Sequence, residues 1–325
     1  MCFCRNDYNN TGGVDRDCPP SVTIAAPMTF RNHLESLLLS AAIGLFRLFP
    51  VDFASWLMGR CWRWFATMNA RHKRALKHLK NAYPEMPLKE REKIVLGMWD
   101  NLGRVAAETF HIDRLLHQDH RFEADADEIT QAVLRGEQAA LFVSFHSGNW
   151  EMCVQPAVMG GIEITGVYQA LKNPEADKAL RSLRKDLYKG GLLSKGHQTA
   201  RKILSTLKAG GIVAIMGDLR ETRGIQVPFF GQMAYANPIP ASLARSCGVP
   251  IVLGRVIRKN GVNFRIEGRA ISVPVTDDRQ ADIEAATARI HEIFEDWIRE
   301  HPEQWMWIHK KWAAAGNAAP AKDAA

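Results

Sequence analysis

Residues 141–151, LFVSFHSGNWE, bring an imidazole and a carboxylate close together along the chain. On one continuous helix, five residues at about 100° each would place His146 and Glu151 roughly 140° apart, so the two side chains could not meet. If a strand ends at His146 and a helix begins near Gly148 or Asn149, Glu151 falls in the first helical turn and can fold back. An imidazole held by a carboxylate in this way is a suitable general base for a hydroxyl group.

The order of strand, turn and helix also predicts where this pair lies. Open α/β sheets bind their ligands at the carboxyl ends of the strands. Gly148 would supply the tight turn, Asn149 would cap the helix, and free N–H groups at the helix start could stabilise an oxyanion. The alternative is a histidine satisfied within a loop. The apolar strand, glycine turn and acidic residue occur together, and this combination favours catalysis.

The elements that must position this stretch alternate between strands and helices from about residue 139. We predict strands at 139–145, 162–168, 212–216, 250–257 and 263–273. We predict helices at 150–159, 174–189, 197–209, 238–247 and 280–300, and an amphipathic helix at 88–110. This alternation indicates an α/β fold with a mixed, largely parallel sheet flanked by helices.

The N-terminal region has a different character. The apolar run at 34–58 is interrupted by Arg47, Pro50 and Asp52, and it is shorter than the ~20 uninterrupted apolar residues of a spanning helix. Aromatic residues follow in CWRWFATMNA, and basic residues follow in RHKRALKHLK at 71–80. This order predicts a helical anchor that lies at an anionic membrane surface. The alternative is a core helix followed by a solvated basic face.

Composition limits the classes of partner and cofactor. Lys and Arg outnumber Asp and Glu by 42 to 35, which gives a formal net charge of +7 and favours an anionic partner. Nucleic acid is disfavoured, because the basic residues lie beside an apolar segment and no recognition motif is present. The six cysteines are too scattered for a disulfide framework or a zinc site. The sequence predicts no metal site, because four candidate histidines share no ligand spacing: His146, His197, His291 and His309.

Several motifs together resemble a known family. HSGNWE at 146–151 fits the H-x-x-x-x-[D/E] pattern of glycerolipid acyltransferases, and FHSGNWE resembles the late acyltransferases of lipid A biosynthesis, the lauroyl/myristoyl type. VPFFGQMAYA at 227–236, SLARSCGVPIV at 242–252 and PEQWMWIHKKW at 302–312 resemble further segments of that family. The resemblance extends over roughly residues 30–312 and implies a glycerolipid-acyltransferase-like fold.

The resemblance implies an activity as well as a fold. Members transfer a fatty acyl chain from acyl carrier protein to a hydroxyl of a Kdo-bearing lipid A precursor. Carried over, His146 is the general base and Glu151 orients it, with no covalent acyl-enzyme and no cofactor beyond the carrier-protein thioester. The sequence lacks the G-x-S-x-G pattern of a serine nucleophile, in agreement with direct attack. Three alternatives stay open: another glycolipid or lysophospholipid acceptor, a thioester hydrolase, and a non-catalytic membrane-binding module.

Further residues are expected to bind substrate. They are Asn149, Arg184, Arg181, Asp218, Arg220, Phe229 and Phe230. Arg184 is the preferred match to the arginine of the family and Arg181 the second choice, although both could belong to a solvated basic helix face. Asp218 follows a strand where the family has an Asp. Phe229 and Phe230 are expected to form the wall of an apolar pocket or part of the core.

These expectations divide the chain into four parts. They are a disordered or mis-called extension at 1–27, a membrane anchor with a basic interfacial helix at 28–80, the acyltransferase domain at 81–312, and a disordered tail at 313–325. The expected partners are acyl carrier protein, the anionic lipid precursor and the membrane surface. The expected location is the cytoplasmic face of the inner membrane.

Overall fold

The computed structural model describes residues 30–194, 196 and 198–312. The extension predicted at 1–27, the tail predicted at 313–325, and His197 lie outside the described residues.

The described residues form helices and strands joined mostly by short loops. The helices are α1 (Phe30–Arg47), α2 (Val51–Phe65), α3 (Ala70–Ala82), α4 (Leu88–Thr109), α5 (Ile112–Leu115), α6 (Glu128–Leu134), α7 (Gln155–Met159), α8 (Pro174–Leu183), α9 (Thr199–Lys208), α10 (Ile239–Cys247) and α11 (Arg279–Glu300). The strands are β1 (Phe122–Ala126), β2 (Ala140–Ser144), β3 (Ile164–Tyr168), β4 (Gly191–Ser194), β5 (Ile212–Met216), β6 (Ile225–Phe229), β7 (Gln232–Ala236), β8 (Ile251–Arg258) and β9 (Phe264–Ile271). Among the shorter 3-10 segments are Trp150–Val154 and Pro302–Gln304.

Seven of the strands form one sheet in the order β1-β9-β8-β2-β5-β3-β4. All neighbours are parallel except β8 and β9. Strand β2 lies at the centre, and every residue of Ala140–Ser144 is buried, because helices cover both faces of a parallel sheet. The predicted α/β fold with a largely parallel sheet is confirmed. The carboxyl ends of β2, β5 and β3 meet at one edge.

The core extends over both faces of this sheet. Leu141 and Val143 face a cluster that includes α4, α11 and the last tryptophans, whereas Ala140 and Phe142 face a second cluster on the opposite side. This alternation follows from the two-residue period of a strand. Just past β2, Phe145 stacks on Phe294 of α11 with ring centroids 4.6 Å apart. The strand that leads to His146 is therefore fixed from both sides.

The predicted strands agree with the structure better than the helices do. All five predicted strands are present, whereas the helix predicted at 150–159 is a 3-10 segment followed by α7. The helix predicted at 174–189 ends at Leu183, and the residues after it turn toward β4. The prediction did not include β1, β4 or the two-stranded hairpin of β6 and β7. Strand β1 reads FEADA and β4 reads GLLS, so neither has the apolar run of a central strand.

The N-terminal helices expose much of their apolar surface. No residue of α1 is buried, and the exposed large side chains of α1, α2 and the turns around them include Phe30, Leu37, Leu48, Phe53, Trp56, Trp64 and Met68. Helix α2 packs closely on α4 at Gly103, where a Cβ would lie only 2.5 Å from the carbonyl oxygen of Met58. No helix among the described residues has both the length and the apolar character needed to cross a bilayer.

Candidate active site

The register of β2 and β5 places His146 beside Asp218. Ser144 pairs with Met216 at the ends of these parallel strands, and His146 and Asp218 each follow two residues later. The Gly217 N–H donates to the Ser144 carbonyl at 2.8 Å, which extends the pairing beyond the strand ends. Asp218 Oδ1 lies 2.8 Å from His146 Nδ1, and Asp218 Oδ2 accepts the main-chain N–H of His146 at 3.0 Å.

This geometry prepares the imidazole for proton transfer. With Nδ1–H donated to Asp218, the lone pair for substrate chemistry is on Nε2. The His146 side chain retains 15% of its accessible surface, so a substrate can reach it, whereas the Asp218 side chain retains 1%. Burial alone would raise the pKa of Asp218, but the charge and hydrogen bonds of His146 lower it well below its ordinary value. Asp218 therefore remains a carboxylate in any ordinary assay.

Glu151 does not occupy the orienting position that the sequence analysis gave it. Its carboxylate binds the guanidinium of Arg184: Nε donates to Oε2 at 2.8 Å and Nη2 donates to Oε1. The 3-10 segment Trp150–Val154 turns Glu151 toward the end of α8, and the ring of Trp150 lies edge-on to His146 with centroids 5.2 Å apart. The prediction that Glu151 orients His146 is wrong. The carboxylate in contact with His146 Nδ1 belongs to Asp218.

The Glu151–Arg184 ion pair is mostly buried and connects the segment 146–151 to the end of α8. The side chains retain 6% and 19% of their surface. Burial lowers the pKa of Arg184, but the charge and hydrogen bond of Glu151 outweigh it and raise the pKa, so the guanidinium stays charged. Arg184 was expected to bind a substrate anion, and in the structure its anion is Glu151. Arg181 lies exposed on α8.

Gly148 and Asn149 shape the turn between His146 and Glu151. Gly148 has φ +57°, and a Cβ there would lie 1.8 Å from the carbonyl oxygen of Val256. The Gly148 carbonyl accepts a hydrogen bond from Asn101 Nδ2 at 2.9 Å. The expected tight turn is therefore present and needs glycine.

Asn149 is neither a helix cap nor a substrate contact in this structure. It is fully buried, makes no side-chain cap bond, and donates from Nδ2 to Glu108 Oε2 at 2.8 Å. Arg258 and Ser55 bind the same carboxylate. A buried carboxylate needs several donors, and Asn149 is one of them. This network anchors the turn at Gly148 and Asn149 to α4, and Asn149 therefore does not have the substrate-binding role predicted for it.

The C-terminal segment 302–312 packs against Asp218 and the main chain of His146 and Ser147. Its Met306 N–H donates to the His146 carbonyl at 3.0 Å, and Trp305 pairs with Ser147 in an isolated bridge. Trp305 Nε1 donates to Asp218 Oδ2 at 3.0 Å, and Lys311 Nζ donates to the Asp218 carbonyl at 2.9 Å. The sequence analysis assigned no role in the site to Trp305 or Lys311. The hydrogen bonds from Trp305 and Lys311 to Asp218 were missed, because nothing in a linear pattern pairs them with residue 218.

The remaining predicted substrate-binding residues contact partners other than His146. Phe229 and Phe230 are buried among aromatic rings of the C-terminal segment, which places them in the core and not on a substrate surface. Arg220 lies over the ring of Tyr235 at 5.7 Å.

His309 lies beside His146 with ring centroids 5.1 Å apart, and burial lowers the pKa of His309 to about 4, so it is neutral.

A basic cleft lies behind the catalytic turn. It has a volume of about 390 Å³ and is lined by α2, α4, the turn between β8 and β9, and the segment Pro302–Gln304. Within the part of the chain that the structure describes, Arg60, Arg63 and Lys259 make no side-chain ion pair or hydrogen bond, whereas Arg104 binds Asp100. The same part of the chain contains no group of three His, Cys, Asp or Glu placed to bind a metal ion.

Comparisons with known proteins give relatives that match most of the chain. The phosphatidylinositol mannoside acyltransferase of Mycobacterium tuberculosis is 24% identical over 282 residues, which cover 80% of this chain and 87% of that protein. The lipid A biosynthesis lauroyltransferase of Escherichia coli K12 is 26% identical over 270 residues, which cover 78% and 83%. A solved structure, the 1-acyl-sn-glycerophosphate acyltransferase PlsC of Thermotoga maritima, matches with a TM-score of 0.34, 12% identity, and coverage of 82% and 98%.

The family is shown by a match to most of the chain. A family model described as bacterial lipid A biosynthesis acyltransferase matches residues 29–314, a range that includes His146, Asp218 and the C-terminal segment. The protein belongs to the bacterial lipid A biosynthesis acyltransferase family and is an acyltransferase.

Proposed function

We propose that this acyltransferase moves a fatty acyl chain from acyl carrier protein to a hydroxyl of a Kdo-bearing lipid A precursor. The observation that carries the proposal is the contact of His146 Nδ1 with Asp218 at the carboxyl end of the central strands. Relatives named for lipid A and for phosphatidylinositol mannoside both point to a glycolipid acceptor.

The reaction needs one base and no covalent intermediate. His146 Nε2 takes the proton of the acceptor hydroxyl while the hydroxyl oxygen attacks the thioester carbonyl carbon. Asp218 stabilises the imidazolium that forms. The tetrahedral intermediate then collapses, the C–S bond breaks, and the proton on Nε2 passes to the leaving thiolate. The products are an ester and the free thiol of the carrier, so atoms and charge balance.

The charge distribution supports an anionic lipid as acceptor. Arg60 and Arg63 lie three residues apart on α2. Together with Lys259 they give the cleft three cations that make no ion pair among the described residues, although Asp100 and Glu303 also line it. The exposed aromatic residues Trp56 and Trp64 lie on the same helix. Arginines beside exposed tryptophans are typical of a protein surface at the headgroup level of a membrane. We propose that the enzyme works at the cytoplasmic face of the inner membrane and uses no cofactor beyond the carrier-protein thioester.

Mass spectrometry of the acceptor tests the proposal directly. The protein is incubated with tetra-acylated, Kdo-bearing lipid A precursor and a mixture of acyl carrier protein thioesters, with His146→Ala alongside. A gain of one acyl mass in the wild type, absent from His146→Ala, is the expected result. Thioesters left intact would reject this acceptor, and thioesters consumed without a gain would indicate a hydrolase.

A second acceptor follows from the relatives. The mycobacterial and E. coli proteins match with similar identities, 24% and 26%, so sequence distance does not choose between their acceptors. Phosphatidylinositol mannoside and a lysophospholipid should accompany the lipid A precursor in the same assay. Acylation of either one in preference to the precursor would replace our proposed acceptor and keep the chemistry.

A further inference from the structure

Lys311 is a buried amine in contact with Asp218. It is fully buried, and its Nζ donates to the Asp218 carbonyl at 2.9 Å. Its second partner is His291 Nε2 at 2.8 Å, and the Nζ lies 5.2 Å from the centroid of the Phe229 ring. No ion pair to a carboxylate holds Lys311 among the residues that the structure describes. Burying a charge destabilises the folded state, and an apolar side chain of similar volume would avoid this cost. A buried ammonium at this position therefore suggests a functional role.

His291 is oriented to accept a hydrogen bond from Lys311 Nζ. One turn earlier in α11, the Thr287 carbonyl lies 2.9 Å from His291 Nδ1, so Nδ1 carries the hydrogen and Nε2 is an acceptor. Burial and the Lys311 charge lower the pKa of His291 to about 3, so the imidazole is neutral at ordinary pH. The two side chains form a continuous chain of hydrogen bonds between α11 and Asp218, in which Lys311 donates at both ends.

Asp218 is thereby held at both of its ends. Its carboxylate accepts the His146 ring N–H, the His146 main-chain N–H and the Trp305 indole N–H. Its carbonyl accepts the Lys311 ammonium, which is a charge-assisted bond. A small displacement of a group that positions a reacting atom can cost a factor of about 10² in rate.

We propose that Lys311 and His291 are a positioning pair that fixes Asp218, and through Asp218 the imidazole of His146, for acyl transfer. This inference rests on the proposed function of His146 as the base. It gives the C-terminal signature WMWIHKKW a role in positioning the catalytic residues, in addition to packing.

The proton on Lys311 gives the pair a characteristic pH dependence. Burial lowers the pKa of Lys311 to about 8, although the Asp218 charge opposes the change. The titratable groups that face it are Asp218 at the end of β5, His291 on α11, and His309 in the C-terminal segment. Loss of the proton weakens the bond to Asp218, because charge-assisted hydrogen bonds are about twice as strong as neutral ones. We expect kcat to fall as pH rises through about 8.

Stability should change in the opposite direction over the same range. The folded state loses the Lys311 proton near pH 8, whereas the unfolded chain keeps it until about 10.5. The unfolded state then binds more protons, so the contribution of this group to stability rises with pH between these values. A purely structural lysine would not make activity fall while stability rises.

The test compares neighbouring lysines. Lys311→Met removes the buried charge, and Lys310→Met removes the same charge from an exposed position one residue away. We expect Lys311→Met to lower kcat by about 10²-fold with KM within about twofold of wild type, because the substrate is still bound. It should also lack the decline near pH 8. Lys310→Met should match the wild type in kcat and in pH profile.

Two further measurements keep the inference testable if Lys311→Met does not fold. His291→Gln retains an acceptor for Lys311 and should keep most of kcat, whereas His291→Leu should lower it. The pH profile of the wild type needs no variant at all. Equal kcat for Lys311→Met and Lys310→Met, or a wild-type kcat that is flat from pH 7 to 9, would overturn the positioning role. Failure of the proposed function is a separate result: the wild type and every variant would then transfer no acyl group to the lipid.

Discussion

At the level of single residues, the site contains two carboxylates with different partners. Asp218 binds the imidazole of His146, and Glu151 binds the guanidinium of Arg184. Sequence proximity favoured Glu151, because it lies five residues after the histidine. Asp218 was recognised as a residue of the site, but its distance in sequence concealed its contact. The useful signal was positional, since both His146 and Asp218 follow a buried strand by the same number of residues.

Asp218→Asn should nearly abolish turnover. The amide oxygen can accept the two N–H groups that now point at Oδ2, and the amide N–H₂ would then donate to His146 Nδ1. That places the hydrogen on Nε2 and leaves no lone pair for the acceptor hydroxyl. A similar change in a serine protease lowers kcat by about 10⁴, and we expect a loss on the order of 10³ to 10⁴. Steady-state kinetics with a thermal melt provides the check, and an Asp218→Asn enzyme with normal kcat would remove Asp218 from the mechanism.

Glu151→Ala should lose activity mainly through loss of structure. It leaves the Arg184 guanidinium largely buried without a counter-charge, which costs about 3 kcal/mol for a broken buried pair. The double variant Glu151→Ala/Arg184→Met should regain most of the free energy of unfolding and part of kcat, because no uncompensated charge remains. Chemical denaturation and turnover of the singles and the double complete the cycle. If the double variant regains stability and stays inactive, Glu151 has a direct part in catalysis.

At the level of elements, the catalytic turn is held between β8 and the C-terminal segment. Gly148 lies against Val256 of β8, and Met306 and Trp305 bind the main chain of the turn from the other side. The sequence predicted the turn and its glycine because Ser-Gly-Asn after an apolar run is a strong local signal. It could not predict the closing segment, whose contacts depend on the tertiary fold.

Gly148→Ala should distort this turn severely. The new methyl group would clash with the Val256 carbonyl in addition to the strain of a positive φ. We expect a loss of stability greater than about 3 kcal/mol, or a displaced turn with no activity. Gly161→Ala is the matched control, because Gly161 has φ +80° but open space around its Cα. It should cost only about 1–2 kcal/mol and leave kcat unchanged. Equal effects from the two variants would contradict the proposed clash.

Trp305→Phe should separate the hydrogen bond to Asp218 from aromatic packing. It removes Nε1–H from Asp218 Oδ2 and keeps a ring in the core. We expect kcat to fall by about 10-fold, since a hydrogen bond to a charged group contributes about 1.5–3 kcal/mol. Trp312→Phe is the control, because its Nε1 donates at 3.3 Å to the Phe229 carbonyl and not to the site. A comparable drop in kcat for both variants would assign the effect to packing alone.

At the level of the whole molecule, the fold separates the buried sheet that carries the candidate site from an exposed N-terminal surface. The central strands were predictable because their apolar runs are covered on both faces, whereas β1 and β4 lie at the sheet edges and carry little pattern. The anchor at 28–80 stays a prediction for its membrane role. Its described part contains two helices that expose many apolar side chains, as an interfacial segment would.

Vesicle binding tests this surface. Trp56→Ser/Trp64→Ser removes two exposed indoles from α2 and should weaken sedimentation with phosphatidylglycerol vesicles by at least about 10-fold. Met233→Ser/Val275→Ser removes exposed apolar side chains elsewhere and should bind like the wild type. Both doubles should unfold at wild-type temperature. Unchanged binding by the tryptophan variant would place the membrane contact on another surface.

The closing role of the segment 302–312 has a consequence for biosynthesis. Translation runs from the N-terminus, and the strands that carry His146 and Asp218 leave the ribosome well before Trp305 and Lys311 do. A nascent chain therefore presents its imidazole before the groups that hold Asp218 have been added. The enzyme should therefore acquire activity only late in its synthesis, once the segment 302–312 has folded against Asp218 and the turn after His146.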